Sequence, residues 1–226
     1  VPDPAPRRTS KAEQTRSVIT AAALRLFRRD GYDGTTMRAI AQEAGVSVGN
    51  AYYYFSSKEH LVQAFYDGIQ VEHAAAAAGV LAREKDFEPR LRGVLEAWLD
   101  VAAPHHGFAG QFFRNAADPQ SPLSPFSDES APARAASTDL YRRVVDGADV
   151  KIAPTLRAEL PDLLWLLQMG VVLFWVHDRS PGQARTRTLV AQSTPVVDRL
   201  LRLARLPVVR GVVDDLVGVI ATIRTP

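Results

Sequence analysis

The sequence predicts an all-α protein: a small N-terminal three-helix domain built around a helix-turn-helix, followed by a larger helical domain. Three observations predict it. Apolar residues recur at three- and four-residue spacing along much of the 226-residue chain, the signature of helices with one buried face. Glycine and proline punctuate these runs where helices end. Residues 36–58, TMRAIAQEAGVSVGNAYYYFSSK, read as two short helices and the start of a third, joined by a tight glycine turn.

Composition bounds the rest. Hydrophobic residues make up 46% and charged residues 23%, ordinary values for a globular protein with a large core in one or two domains. With no cysteine, a disulfide scaffold, a thiolate metal site and a thiol nucleophile are excluded; a cytoplasmic setting is expected. The longest apolar run, residues 163–176, is interrupted by Gln168, so no membrane partner is expected. VPDPAPRRTSK lacks the apolar core of a signal peptide. Net charge is +2, but residues 1–58 hold nine Lys/Arg against five Asp/Glu, leaving 18 against 20 for the remainder. A basic first part on a slightly acidic body suggests an anionic partner at one end.

In chain order, residues 1–10 read as a proline-rich flexible arm in which Arg7 and Arg8, with Lys11 beyond it, either reach phosphates or a minor groove or belong to a solvated tail. Residues 11–58 form the helix-turn-helix domain. Its first helix spans about 11–29, with Val18, Ala21, Ala22, Leu24, Leu26 and Phe27 as the apolar face, and Gly31 ends it. Thr36 caps the second helix, whose stripe is Ile40, Ala41 and Ala44. Gly45 ends that helix, since glycine reaches the left-handed cap without a side-chain penalty. Val46 plugs the turn. Ser47 caps the third helix, about 48–54, which is too short to stand alone in water.

That stretch resembles the DNA-binding domain of the TetR family of transcriptional regulators. The resemblance rests on Gly45-Val46-Ser47-Val48-Gly49-Asn50-Ala51-Tyr52-Tyr53-Tyr54-Phe55 and Lys58, with Phe27, Gly31, Tyr32, Thr35, Thr36, Ile40 and Ala41 upstream. It covers about residues 12–65. It departs at Val48, often polar in the family, and at Ala51, usually leucine. It implies a double-stranded DNA operator as partner, with Ser47, Val48, Gly49, Asn50, Tyr52, Tyr53 and Lys58 at contact positions. Thr36 and Arg38 join these as phosphate candidates by their placement. With no arginine on the reading helix, base recognition falls to Asn50 on adenine and Val48 on a thymine methyl. Tyr52 is balanced between core and interface; Tyr54 and Phe55 belong to the core.

Residues 59–226 form the larger domain. A linking helix over about 58–82 carries Leu61, Phe65 and Ile69 on one face. An amphipathic helix follows, with Phe87, Leu91, Val94, Leu95, Trp98 and Ala102 on its stripe, stopped by Pro104. Phe108, Phe112 and Phe113 sit on the next, shorter helix. Residues 117–133 form a Pro/Ser-rich linker or mobile flap. A helix spans about 133–145, another 162–178. The latter is apolar on nearly every side, so its second side is expected to face another subunit. The helix over about 183–205 should kink at Pro195, and a last helix spans about 208–223.

The resemblance further implies a homodimer and a small-molecule effector held in the larger domain. The expected interface is Leu163, Leu167, Val171, Phe174, Val197, Leu200 and Leu201. The candidate pocket lining is Trp98, Phe108, Phe112, Phe113, Trp165, Met169 and Phe174, suited to an apolar or aromatic molecule, with plain core as the alternative reading of each and Gln111, Asn115, Gln168 and His177 as nearby polar groups. Neither the five histidines nor the serines fall into metal-ligand or nucleophile motifs. No metal, cofactor or enzymatic activity is therefore expected. The sequence thus predicts a ligand-responsive repressor of a palindromic operator. The alternative is a helical ligand-sensing or partner-binding protein that has lost DNA binding, with Val48 and Ala51 as its signs.

Overall fold

The computed structural model describes residues 10–118 and 120–204, apart from the side chains of Phe108, Gln111 and Arg114. The expected arm with Arg7 and Arg8, the helix over 208–223 and the Phe108 lining position lie outside the described residues. Among those described there are helices and no strands: α1 Lys11–Asp30, α2 Met37–Glu43, α3 Val48–Tyr54, α4 Lys58–Arg83, α5 Phe87–Ala102, α6 His106–Ala116, α7 Ala131–Asp146, α8 Pro154–His177 and α9 Ala184–Leu203. The chain divides into two compact units. The first runs through Asp67 and includes Gly107–Ser127; the second is Gly68–His106 with Asp128 onward. The first unit therefore extends beyond the expected boundary at residue 58 and draws in a later segment.

In the first unit, α1 starts with a reciprocal cap. Ser10 Oγ accepts from the Glu13 N–H at 3.2 Å, and Glu13 Oε2 accepts from the Ser10 N–H at 2.8 Å. Gly31, at φ 79°, ends the helix. The buried face is Ile19, Ala22, Ala23, Leu26 and Phe27. Val18 and Ala21, expected on that face, point to solvent instead: the stripe is rotated so that Ile19 and Ala23 occupy it. The core adds Ile40, Ala41, Ala51, Phe55, Leu61 and Val62, and also Phe112 and Leu123. Phe112 meets Phe27 edge-on at 5.5 Å between centroids. Leu123, 2% exposed, anchors the Pro/Ser-rich segment, which winds through successive turns closed by Ser121, Ser124 and Ser127 N–H donors. That segment is fastened to a core rather than being a plain linker or a flap.

In the second unit, α7 packs on α8, and α5 on α7 and α9. The helix expected over 162–178 begins earlier, at Pro154, and tolerates Pro161 inside. The ring removes one N–H donor, a local loss. With that added length α8 is long and apolar enough to cross a membrane, by length and composition alone. One face of it packs within the unit. Leu164, Trp165, Gln168, Val171 and Trp175 point inward, and Gln168 Oε1 accepts from the Tyr141 hydroxyl at 2.9 Å.

Two polar devices hold this unit. Arg90, 3% exposed, has no carboxylate beside its guanidinium. Its Nε donates to the Val144 carbonyl at 3.0 Å, Nη1 to Leu81 and Glu84 at 2.8 and 2.6 Å, and Nη2 to Arg143 at 2.6 Å. A Cβ on Gly147 would overlap Arg90 Nη2, so glycine there makes room for the guanidinium. Asp178 closes the turn from α8 to α9. One oxygen accepts from the Ser180 N–H and hydroxyl at 2.9 and 2.6 Å, the other from the Thr186 N–H and hydroxyl at 2.8 and 2.7 Å. Burial alone would raise its pKa; the Ser180 and Thr186 donors outweigh burial and hold it well below the usual carboxylate range. A depressed folded pKa contributes stability above the unfolded value, lost as pH falls toward the folded one. We therefore expect the wild type to lose more stability between about pH 4 and pH 2 than Asp178→Asn does, with the variant less stable by about 2 kcal/mol at neutral pH. Urea melts across pH check this; identical pH slopes would remove the assignment.

Candidate nucleic-acid interface

The turn between α2 and α3 follows from its residues. Thr36 Oγ1 accepts from the Ala39 N–H at 3.2 Å and starts α2. Gly45, at φ 68°, reverses the chain, and the Val46 N–H donates to the Ala41 carbonyl at 3.0 Å. Ser47 Oγ accepts from the Asn50 N–H at 3.1 Å and starts α3. Each cap contributes about 1 kcal/mol, and fully buried Ile40, Ala41, Ala51 and Phe55 hold both seven-residue helices to the core. Ala51 thus serves packing, which explains how the departure from leucine is accommodated.

With that inner face fixed, the opposite edge is presented outward. Thr36, Arg38, Ser47, Val48 and Gly49 are exposed and Asn50 is half-buried. Tyr52 is 50% and Tyr53 81% exposed, so Tyr52 faces outward rather than filling the core. Tyr54 is half-buried and Phe55 buried, with the Arg16 guanidinium 4.7 Å above the Phe55 ring. Gly49 is informative: a Cβ there would meet nothing within 4 Å. The fold does not need a glycine at this helical position.

Lys58 is differently placed. Its Nζ donates to the Tyr32 carbonyl at 2.8 Å and lies 4.4 Å from the centre of the Tyr32 ring. One ammonium N–H is engaged within the subunit and two remain. Neighbouring Glu59 accepts from the Tyr32 hydroxyl at 2.6 Å. Burial, then that hydrogen bond, pushes the Tyr32 pKa above its ordinary value. The start of α4 is thereby locked to the end of α1. His60 Nδ1, within 3.1 Å of Ser56 Oγ and 3.0 Å of Ser57 Oγ, adds polar groups on this edge that sequence reasoning passed over.

The expected pocket lining is divided between the two units. Phe112 is buried in the core of the first unit and Phe113 is half-buried there. Phe174 is 43% exposed. Trp98 and Trp165 are buried in the second unit, with Met169 half-buried. Among the nearby polar groups, Gln168 is engaged by Tyr141 and His177 Nδ1 lies 2.9 Å from the Leu173 carbonyl. Asn115 falls in the first unit, and the Gln111 side chain is outside the described residues. Trp175, which the sequence pattern does not single out, meets Trp98 edge-on at 5.2 Å.

The expected subunit interface also changes. Val171 and Leu201 are buried inside the chain, 2% and 6% exposed, and are unavailable to a partner. Leu163, Leu167 and Val197 are half-buried. The outward stripe is Leu166, Leu173 and Phe174 on α8 and Val196, Leu200 and Leu203 on α9. Both helices spend one face on their own subunit, and only the opposite side chains remain. Among the described residues no three His, Cys, Asp or Glu side chains cluster as metal ligands.

A helix-turn-helix with an outward reading edge, joined in one chain to a second helical unit, defines the architecture of one-chain transcription factors. Family profiles agree with it. One described as "Bacterial regulatory proteins, tetR family" matches residues 19–65, and one described as "Tetracyclin repressor-like, C-terminal domain" matches residues 90–218. The chain belongs to the TetR family of transcriptional regulators. It is 43% identical over 68 residues to the HTH-type transcriptional regulator TtgR of Pseudomonas putida, a match covering 30% of this chain and 32% of that one. The matched stretch spans between 28% and 50% of the lengths of such curated relatives. The TetR transcriptional regulator of Nitrosomonas europaea shares the fold with a TM-score of 0.60 at 19% identity, over 81% of this chain and 97% of that one. The FadR transcriptional repressor of Thermus thermophilus, solved with lauroyl-CoA, does so at 0.59 and 20%, over 84% and 95%.

Proposed function

We propose that this regulator is a homodimeric, cytoplasmic repressor that binds a palindromic operator through α3 and leaves it when a small molecule binds the second unit. The exposed edge from Ser47 to Tyr53 carries the reading. Ser47, Tyr52, Tyr53, Thr36, Arg38 and the remaining N–H groups of Lys58 are suited to phosphates; Asn50 and Val48 are suited to base edges. Two such helices must meet successive major grooves about 34 Å apart. An effector that favours a dimer state with another spacing lowers occupancy, by an amount set by its preference for that state. α4, whose residues belong to both units, is the proposed transmitter. A fold-mate that is itself a repressor solved with an organic ligand supports small-molecule control.

Gly49→Ala tests this with opposite signs. Nothing obstructs the new methyl, and alanine is the better helix former by about 1 kcal/mol, so the variant should melt higher. If a duplex approaches that position closely, the same methyl should weaken operator binding about tenfold or more. Melting curves and mobility shifts on DNA flanking the protein's own gene read the two effects. Tyr53→Ala should weaken all DNA alike, whereas Asn50→Ala should relax preference at particular bases. Wild-type protein that shifts no DNA would defeat the operator reading and leave the ligand-sensing alternative.

A further inference from the structure

Several charged side chains of the first unit are engaged within it. Arg25 pairs with Glu43 at 2.9 Å and Arg29 with Asp30 at 2.8 Å. Lys58 spends one N–H on the Tyr32 carbonyl, and Glu59 accepts from the Tyr32 hydroxyl. Glu13, one turn before Arg16 on α1, accepts from the Ser10 N–H at 2.8 Å. Arg16 departs from this pattern. It is exposed, and its guanidinium lies over the Phe55 ring, 4.7 Å from the ring centre. Among the described residues it has no carboxylate partner.

The ring fixes where this charge stands. Phe55 ends α3 and is itself 1% exposed. The last turn of that helix carries Tyr52 and Tyr53, both exposed. A cation rooted in α1 is thereby brought to the end of the reading helix. An aromatic ring attracts the cation without consuming an N–H donor. It also narrows the rotamer freedom of a long side chain, so less order is lost when an anion is bound. A placed guanidinium with unspent N–H groups matches the oxygens of a phosphate. A helix in a major groove has a phosphate strand on each side. Thr36 and Arg38, already proposed for phosphates, sit at the start of α2, one end of the helix pair. Arg16 stands at the other end, where α3 finishes.

We propose that Arg16 is a phosphate contact of the DNA interface, supplied by α1 and set in place by the Phe55 ring. This rests on the reading that α3 enters a DNA groove, and it adds to that interface a residue from outside the helix-turn-helix.

Mobility shifts over a salt series, with DNA flanking the protein's own gene, test the contact. Arg16→Met keeps an apolar stem for the Phe55 ring and removes the charge. It should lower the slope of log affinity against log salt by about 1 for each subunit bound, which loss of packing alone would not do. Arg16→Lys should keep most of the slope. Arg29→Met removes the same charge about 20 Å further along α1 and should leave the slope as it is. Ethylation interference should show one phosphate per half-site that blocks the wild type and no longer blocks Arg16→Met. Arg16→Gln takes its place should the methionine variant fail to fold. An unchanged slope in the neutral variant, an equal fall in Arg29→Met, or the same blocking phosphates for variant and wild type would each overturn the assignment. The two readings fail differently. Wild-type protein that shifts no DNA defeats the operator reading and Arg16 with it; wild-type protein that shifts DNA with a slope indifferent to Arg16 defeats this contact alone.

Discussion

Leu200→Asp should turn the proposed homodimer into a monomer and lower affinity for the proposed operator at least about a hundredfold. Leu200 is 59% exposed, and Leu203, Val196, Leu173, Phe174 and Leu166 are 43–49% exposed beside it on α8 and α9. A monomeric surface rarely carries this many large apolar side chains on adjacent helices unless something covers them. A Cβ on Gly170, on the outward side of α8, would meet nothing within 4 Å, so the small size of this residue suits close approach by another helix rather than internal packing. Because Leu200 is outward, aspartate there costs the single subunit little. In a two-fold interface the charge appears twice, each copy desolvated without a partner, a loss of several kcal/mol. A monomer then reads one half-site. The second contact, which a dimer makes at high effective concentration, is worth about 10²–10⁴ in affinity. Sedimentation and mobility shifts on the same preparation read both effects. Leu201→Asp, aimed at a side chain 6% exposed, should instead unfold the chain. Dimeric Leu200→Asp would place the interface elsewhere.

How far the sequence reached depends on the range of the interactions involved. The helix-turn-helix was legible because its determinants are local: Thr36, Gly45 and Ser47 each act on a backbone group within a few residues, and the structure has each in its expected part. Facing was legible less well. Val18 and Ile19 are one residue apart and equally apolar, so periodicity alone left the stripe of α1 uncertain by about 100°. The place of Phe112 was not legible, for a non-local reason. Phe112 sits in an aromatic run that reads like its neighbours, but its partners Phe27 and Tyr32 lie some eighty residues earlier. Lys58 read as a phosphate contact from its position; its bond to the Tyr32 carbonyl depends on how α4 meets the end of α1. Arg90 did leave a trace. It falls on the same stripe as Val94 and Trp98, a charged residue where an apolar one was due, and that anomaly marked a buried cation.

Arg90→Met should destabilise the second unit by about 3–5 kcal/mol, because several enclosed carbonyls lose a charge-assisted donor at once, and Arg90→Lys should recover less than half of it. The carbonyls it engages belong to the ends of two helices: Leu81 and Glu84 at the end of α4, Arg143 and Val144 in the last turn of α7. Both ends carry unmatched acceptors and the negative pole of the helix dipole. A single cation therefore serves two helix termini, and a carboxylate beside it is unnecessary. Methionine fills much of the volume but takes the side-chain donor from all four carbonyls, of which Arg143 keeps the Gly147 N–H at 3.2 Å, in a site too enclosed for water to replace every bond. Lysine restores the charge, but its three N–H groups radiate from one point, whereas the guanidinium fork reaches carbonyls on opposite sides. Gly147→Ala approaches the same site from the other side: its Cβ would overlap Arg90 Nη2 and press on the Arg143 carbonyl at 3.2 Å, so it should cost a fraction of Arg90→Met and add little in the double variant, since both act through one guanidinium. Chemical denaturation of the four variants beside the wild type decides this. Additive losses, or an Arg90→Met variant within about 1 kcal/mol of wild type, would mean that the two helix ends are held by something other than this side chain.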